Sequence, residues 1–185
     1  MYFKFRDLKD YKYILDIFVN RRLYSCSFRN LNDNFEGQFH WNAFDEAKRV
    51  RLNPQKEKHL SICSFTNDYK NHLMWSHYAD GHRGIVIGFV INETSYEVEK
   101  VNYDGLSNFS NLPHKFDDIK SVFLNKIQDW KYEKEHRIIT EKQDYINIEI
   151  KKVIFGTETS SYDKEIITKL ANLVSSKIEI ETYYG

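Results

Sequence analysis

The stretch LMWSHYADGHRGIVIGF, residues 73–89, concentrates two histidines, an arginine, three glycines and several aromatic residues. The run GIVIGFVI (84–91) begins in this stretch and ends two residues after it. It is apolar on both faces, which predicts a strand in the centre of its sheet. Met74 and Trp75 are predicted to pack in the core. Gly81 and Gly84 bracket a tight turn, which glycine permits. We therefore expect a helix that turns sharply into a buried strand.

Hydrophobic periodicity predicts the remaining elements. Asp10 is placed to cap the first helix. The clearest loop is DGLSNFSNLP, residues 104–113. Alternating or apolar runs predict further strands at the opening YFKFR and at residues 21–28, 59–65, 135–140, 146–156 and 177–184. Three- and four-residue spacing predicts helices at residues 11–19, 42–51 (with Phe44, Ala47 and Val50 inward), 116–130 and 161–175.

The order of these elements bears on fold class and domain number. Strands and helices intermix without a regular βαβ rhythm, which favours an α+β fold over a doubly wound sheet. A chain of 185 residues is most simply one domain, so we predict a single domain over residues 1–185.

Composition excludes several classes of protein. Lysine plus arginine equals aspartate plus glutamate, 27 each, which argues against a general nucleic-acid or membrane-surface binder. No apolar run approaches the roughly 20 residues of a membrane span. The two cysteines, Cys26 and Cys63, form neither a disulfide framework nor a zinc ligand set. We expect a cytoplasmic protein that contacts no membrane.

The histidines in and just before the opening stretch are candidates for ligand contact. His72, His77 and His82 are five residues apart, so on a continuous helix they would not share a face. A metal site is therefore not expected. The clustering of His77, His82 and Arg83 near one strand end suits an anion or another polar ligand.

A second candidate is WKYEKEHRII, residues 130–139. If residues 133–138 are extended, Glu133, Glu135 and Arg137 project from one face of the sheet. Two carboxylates on one face repel, which raises a pKa unless a cation intervenes, and Arg137 is placed to be that cation. The residues alone leave two interpretations open, an exposed strand face with surface ion pairs and a pair of carboxylates lining a site.

Arg6, on the first strand, can pair with a carboxylate or bind a phosphate through its planar donors. The serines of YSCSF and LSICSF, including Ser64, have neighbours typical of buried strands. No P-loop, G-x-G-x-x-G or G-x-S-x-G pattern occurs, so ATPase, Rossmann and α/β-hydrolase functions have no support.

The blocks MWSHYADGHRG and WKYEKEHRI resemble an uncharacterised prokaryotic family known only as a domain of unknown function. This resemblance runs through nearly the whole chain. It implies no particular activity.

A second resemblance is to the ADP-ribosyltransferase superfamily. Its order of motifs is an Arg or His on the first strand, a Ser or Tyr in a middle strand, and a late E-x-E. Arg6 fits the first position, and Glu133-Lys134-Glu135 fits the last. The middle position is open between the serines of SICSF, including Ser64, and Ser76 with Tyr78. The usual S-T-S triplet is absent.

The superfamily resemblance implies a split, mostly antiparallel sheet with flanking helices and NAD as a substrate. It implies that Arg6, aided by His82 and Arg83, binds the diphosphate, and that Tyr78 stacks on nicotinamide. Glu135 would stabilise the oxocarbenium-like transition state, and Glu133 would orient or deprotonate the acceptor.

We therefore predict an ADP-ribosyltransferase-like enzyme of a toxin or phage-defence type. Its acceptor would be a protein, DNA or RNA, and an antitoxin is a possible partner. Two alternatives stay open. One is a non-catalytic binding module on the same fold, with Glu133 and Glu135 pointing to solvent. The other is a hydrolase, such as a nuclease, using His77, His82 and Glu135.

Overall fold

The computed structural model describes residues 1–43, 46–53, 60–141 and 143–184. Its thirteen strands are β1 (Tyr2–Arg6), β2 (Arg22–Tyr24), β3 (Cys26–Ser27), β4 (Gln38–Ala43), β5 (Glu46–Arg51), β6 (Leu60–Thr66), β7 (Ile85–Val90), β8 (Glu99–Lys100), β9 (Asn108–Phe109), β10 (Glu135–Glu141), β11 (Tyr145–Asn147), β12 (Glu149–Phe155) and β13 (Glu179–Thr182). The α-helices are α1 (Tyr11–Asn20), α2 (His72–Tyr78), α3 (Phe116–Val122) and α4 (Ser161–Val174), and 3₁₀ helices cover Phe28–Asn30 and Gln128–Glu133.

These elements form two compact units. The first unit comprises residues 1–23, 65–96 and 145–185, and the second comprises residues 24–64 and 97–144. The boundary within β6 falls between Ser64 and Phe65. The sheets are mostly antiparallel, with helices among the strands. The predicted α+β class is therefore confirmed.

In the first unit, β7 lies between β1 and β12, with both of which it pairs antiparallel. Its residues 85–89 are buried, as expected of an apolar strand that has a neighbour on each side. The outer strand β13 pairs parallel with β12. The predicted central position of this strand is confirmed.

Two helices of the first unit, α1 and α4, begin where the sequence predicts. The side chain of Asp10 accepts a hydrogen bond from the Lys12 backbone N–H, and that of Ser160 accepts one from Asp163. Such bonds satisfy backbone donors that have no partner inside the helix. On α1 the buried side chains are Ile14, Ile17 and Phe18.

The second unit has its own apolar core and two groups of strands. β6 pairs with β3 and neighbours β10, and β10 pairs with β8. A separate three-stranded sheet has β4 between β5 and β9. The core side chains are Phe28, Phe39, Leu52, Leu60, Ile62, Ile119, Val122, Phe123 and Ile139.

Three predictions in the second unit are wrong or incomplete. Residues 42–51 are not a helix, because their described residues belong to the antiparallel hairpin of β4 and β5; Phe44 lies outside the described residues. The helix predicted over 116–130 ends at Val122, after which the chain turns and forms the second 3₁₀ helix. The loop at 104–113 contains the short strand β9, which pairs parallel with β4.

Candidate functional site

A cluster of five buried ionisable side chains lies in the second unit. Their side chains are between 1% and 8% exposed. Isolated charges are too costly to bury, so each member of such a cluster must be paired. The members are Glu36, Lys126, Glu133, Glu135 and Arg137.

Arg137 links two of the carboxylates. Its Nε donates to Glu135 Oε1 at 2.7 Å, and one of its terminal nitrogens donates to Glu135 Oε2 at 3.0 Å. Both terminal nitrogens also donate to Glu36, at 3.0 Å for Oε2. The backbone carbonyl of Phe123 accepts a further bond at 2.6 Å. This is the planar, forked recognition of carboxylates for which arginine is suited.

Lys126 links the third carboxylate to the other two. Its Nζ donates to Glu133 Oε2 at 2.6 Å and to Glu135 Oε2 at 3.1 Å, and it lies 3.8 Å from Glu36 Oε1. The ammonium is also 4.9 Å from the centre of the Trp130 ring, within reach of a cation–π interaction. Both cations therefore contact more than one carboxylate.

Local backbone geometry explains why Glu133 and Glu135 meet. Glu133 ends the second 3₁₀ helix, and Lys134 adopts a left-handed conformation with φ of 45° before β10 begins. Glu135 and Arg137 then share one face of β10, as the alternation of a strand requires. The predicted face is confirmed for these two residues, whereas Glu133 reaches the cluster through the turn.

Burial decides between the two interpretations of residues 130–139. Glu133 is 4% exposed, Glu135 is 6% exposed and Arg137 is 1% exposed, so the exposed strand face is wrong. The binding-module alternative had placed both glutamates in solvent, and that placement is also wrong. The predicted pairing of Glu135 with Arg137 is confirmed.

The surroundings keep Glu135 ionised. Burial opposes ionisation, but the nearby charges of Arg137 and Lys126 outweigh it and hold the pKa of Glu135 below its ordinary value. The Ser64 side chain contributes to lowering the pKa of this carboxylate. Beside it, the Tyr103 hydroxyl accepts a hydrogen bond from the Glu135 backbone N–H at 2.7 Å, and burial raises the pKa of Tyr103 to about 12.

Three glutamates and two cations leave the cluster with one excess negative charge when all five groups are ionised. Fixed negative charge in a site of low dielectric constant favours a positive charge that develops nearby. The arrangement can therefore stabilise a cationic transition state or a cationic group.

The other predicted contact residues lie in the first unit. Arg6 ends β1 opposite Ile85, and His77 and Tyr78 end α2. Arg83 lies in the turn before β7 and pairs with Asp80 at 2.8 Å. Of all the predicted site residues, the structure brings Ser64, Glu133 and Glu135 together in the second unit.

His82 has an unusual environment in the first unit. Its φ of 67° is left-handed, and its ring is nearly parallel to those of Trp75, at 5.5 Å, and Tyr183, at 6.1 Å. Burial, together with nearby His72, lowers the pKa of His82. The ring is thus kept neutral within an aromatic stack.

Close backbone contacts hold this turn against β1 and β12. A Cβ on Gly84 would lie 2.2 Å from the Arg6 carbonyl oxygen, and one on Gly156 would lie 2.0 Å from the carbonyl oxygen of His82. Only glycine avoids these overlaps. The predicted loop position of His82 and Arg83, before the central strand, is confirmed.

Sequence reasoning missed Glu36, Lys126 and Tyr103. The burial of Lys126 could have been suspected from the sequence, because this charged residue lies between the apolar positions Phe123 and Ile127. Glu36 lies in a turn-rich segment, where a glutamate is ordinarily exposed, so nothing in its surroundings marks it. Its partner Arg137 is 101 positions away.

An open cleft also lies in the second unit. Its volume is about 550 Å³, and it is lined by residues 100–105 together with Ile127, Gln128 and Lys131. Tyr103, which lines it, also contacts the backbone of Glu135. The cleft is thus next to the buried charge cluster.

The described side chains and helices also bear on metals and membranes. Within the described ranges, no group of three or more His, Cys, Asp or Glu side chains is placed to hold a metal ion. Among the same residues, no helix is both long enough and apolar enough to span a bilayer.

Comparison with known proteins bears on the middle of the chain. No curated protein and no solved structure matches the chain significantly. Residues 74–138, a little over a third of the chain, match the model of a family described as a protein of unknown function (DUF2971). This match supports the resemblance to an uncharacterised family over that segment, which includes most of α2, all of β7 and the four cluster residues Lys126, Glu133, Glu135 and Arg137.

Proposed function

We propose that the protein is an ADP-ribosyltransferase-like enzyme that consumes NAD and modifies a protein, DNA or RNA, as a toxin or phage-defence effector would. The observation that carries the proposal is the excess negative charge of the buried cluster around Glu133 and Glu135. The mostly antiparallel α+β fold is compatible with it.

The chemistry requires such a charge. The bond between nicotinamide and the ribose C1 breaks, and nicotinamide leaves with the bonding electrons as a neutral molecule. The ribose acquires oxocarbenium character, which an ionised carboxylate stabilises. A nucleophile of the acceptor then bonds to C1 and releases its proton.

In this proposal Glu135 supplies the fixed negative charge, because its low pKa keeps it ionised. Glu133 orients the acceptor and takes its proton. Arg6, Ser64, His77, Tyr78, His82 and Arg83 remain the predicted contacts of NAD.

One observation favours a second candidate function, a non-catalytic binding module. Both oxygens of Glu135 already accept hydrogen bonds from Arg137, and Oε2 also accepts one from Lys126. A carboxylate so fully bonded is what a purely structural cluster needs. In this second candidate the cluster only holds the second unit together.

The experiment that separates these candidates uses the full-length chain with labelled NAD and cell lysate. Nicotinamide release and transfer of label are measured for the wild type, for Glu135→Gln and for Glu141→Gln. Glu141 is the matched control, because it is an exposed glutamate on the same strand. Circular dichroism and thermal unfolding establish that each variant is folded.

The enzyme proposal expects release by the wild type and by Glu141→Gln, and a loss of about 100-fold or more in folded Glu135→Gln. Glu135→Gln leaves two carboxylates for two cations, so its cluster stays electrically balanced. Absence of nicotinamide release and label transfer across a broad range of acceptors would contradict the enzyme proposal and favour the binding module.

A further inference from the structure

We infer that the cleft of the second unit is a binding site for a small phosphorylated molecule of the nucleoside diphosphate class. Apart from Tyr103, the inference concerns lining residues to which no role has been given above. It does not depend on NAD turnover, because phosphate binding is measured without any reaction.

The shape of the cleft suits a small molecule. Its volume of about 550 Å³ falls in the range of about 300–1,000 Å³ that is typical of such sites. Two chain segments form it and are tied together on one side. The Asn102 backbone N–H donates to the Leu124 carbonyl, and that of Lys126 donates to Asn102, each at 2.8 Å. The Gly105 backbone N–H also donates to the Lys126 carbonyl, at 3.2 Å.

The charges of the cleft suit a phosphate. Lys100 and Lys131 both line it and are both exposed. Neither forms an ion pair with any of the residues that the structure describes. Two other lysines of this unit already form ion pairs, Lys120 with Glu97 and Lys126 with Glu133. Ammonium groups without a protein partner are suited to bind phosphate oxygens.

The remaining polar groups suit a ribose and a base. Asp104 is the only carboxylate in the lining, and a carboxylate is the usual acceptor for ribose hydroxyls. Asn102 and Gln128 supply amide donors and acceptors, and Tyr103 supplies an aromatic ring. Two lysines with one carboxylate therefore fit a nucleotide better than an inorganic anion.

The test is calorimetric titration of the full-length chain with ADP and, separately, with pyrophosphate. Both probes are expected to bind, and binding is expected to weaken as salt is added. The double variant Lys100→Ala, Lys131→Ala should lose at least about tenfold in affinity for both probes, since a charge-assisted hydrogen bond is worth about one factor of ten. Lys115→Ala is the matched control, because Lys115 is an exposed lysine of the same unit outside the cleft.

Asp104→Asn distinguishes the nucleotide from the phosphate alone. It should weaken the binding of ADP and leave that of pyrophosphate equal or stronger, because it removes both a ribose acceptor and a negative charge. Saturable binding with this pattern supports the inference.

Three results would overturn it: no saturable binding of either probe at millimolar concentration, equal weakening by Lys115→Ala, or tighter binding of a short single-stranded oligonucleotide than of ADP. A negative result leaves nicotinamide release unaffected, so the two proposals fail separately.

Discussion

Arg137 donates hydrogen bonds to both oxygens of Glu135, the residue two positions before it on β10, at 2.7 and 3.0 Å. Both side chains are almost fully buried, and the same guanidinium also binds Glu36. Charged side chains on a strand are ordinarily exposed to solvent, but Glu135 and Arg137 are buried inside the second unit.

Arg137→Gln should strongly destabilise the protein. The substitution leaves Glu36 and Glu135 buried without their shared cation, and removal of one partner of a buried ion pair costs about 3–5 kcal/mol. The free energy of unfolding, from urea titration, measures the effect. Arg49→Gln is the control, because Arg49 is exposed on β5, and it should change the free energy by less than about 1 kcal/mol. Similar losses for the two variants would contradict a buried, obligatory role for Arg137.

Stability should fall on acidification because of Glu135. Its pKa is lower in the folded protein than in the unfolded chain, so the unfolded state binds a proton first as the pH drops. The contribution of Glu135 is complete above about pH 5 and is lost progressively below it. The free energy of unfolding between pH 7 and pH 3 tests this. Glu135→Gln should flatten the curve below pH 5, whereas Glu141→Gln should leave it unchanged.

His82 should give a second, separate loss of stability at higher pH. Burial and nearby His72 lower the pKa of His82 in the folded state, so the unfolded chain protonates first as the pH falls through 6.5. Stability should therefore decrease between pH 7 and pH 5. His82→Asn should reduce that slope, since asparagine tolerates the left-handed backbone and does not titrate. His114→Asn, at an exposed position, is the control. An unchanged slope in His82→Asn would mean that another group causes the loss of stability between pH 7 and pH 5.

Gly156→Ala should destabilise the first unit. The added Cβ would lie 2.0 Å from the backbone carbonyl oxygen of His82, which has no flexible end to move aside. Overpacking of this kind costs about 1–3 kcal/mol. Thermal unfolding compared with Thr157→Ala, at the exposed neighbouring position, measures the difference. Equal melting temperatures would mean that the β12 terminus and the turn at His82 separate easily.

Local sequence patterns were sufficient for most elements of the first unit. The apolar run of β7 predicts a central strand, and Asp10 predicts the start of α1, because burial and capping depend on neighbouring residues. The same reasoning was wrong at residues 42–51. There the apolar residues also fit helical spacing, but the described residues pair as the antiparallel hairpin of β4 and β5.

The candidate site, too, was predictable in part from local sequence and in part only from the tertiary structure. The spacing of Glu135 and Arg137 places both on one strand face, and their opposite charges predict that they pair. Their burial, and the presence of Glu36 and Lys126 beside them, depends on contacts between residues up to 101 positions apart. The sequence by itself determined which charges alternate along β10. Only the tertiary structure decided that they are buried, because the cost of burying a charge is offset by partners from distant parts of the chain.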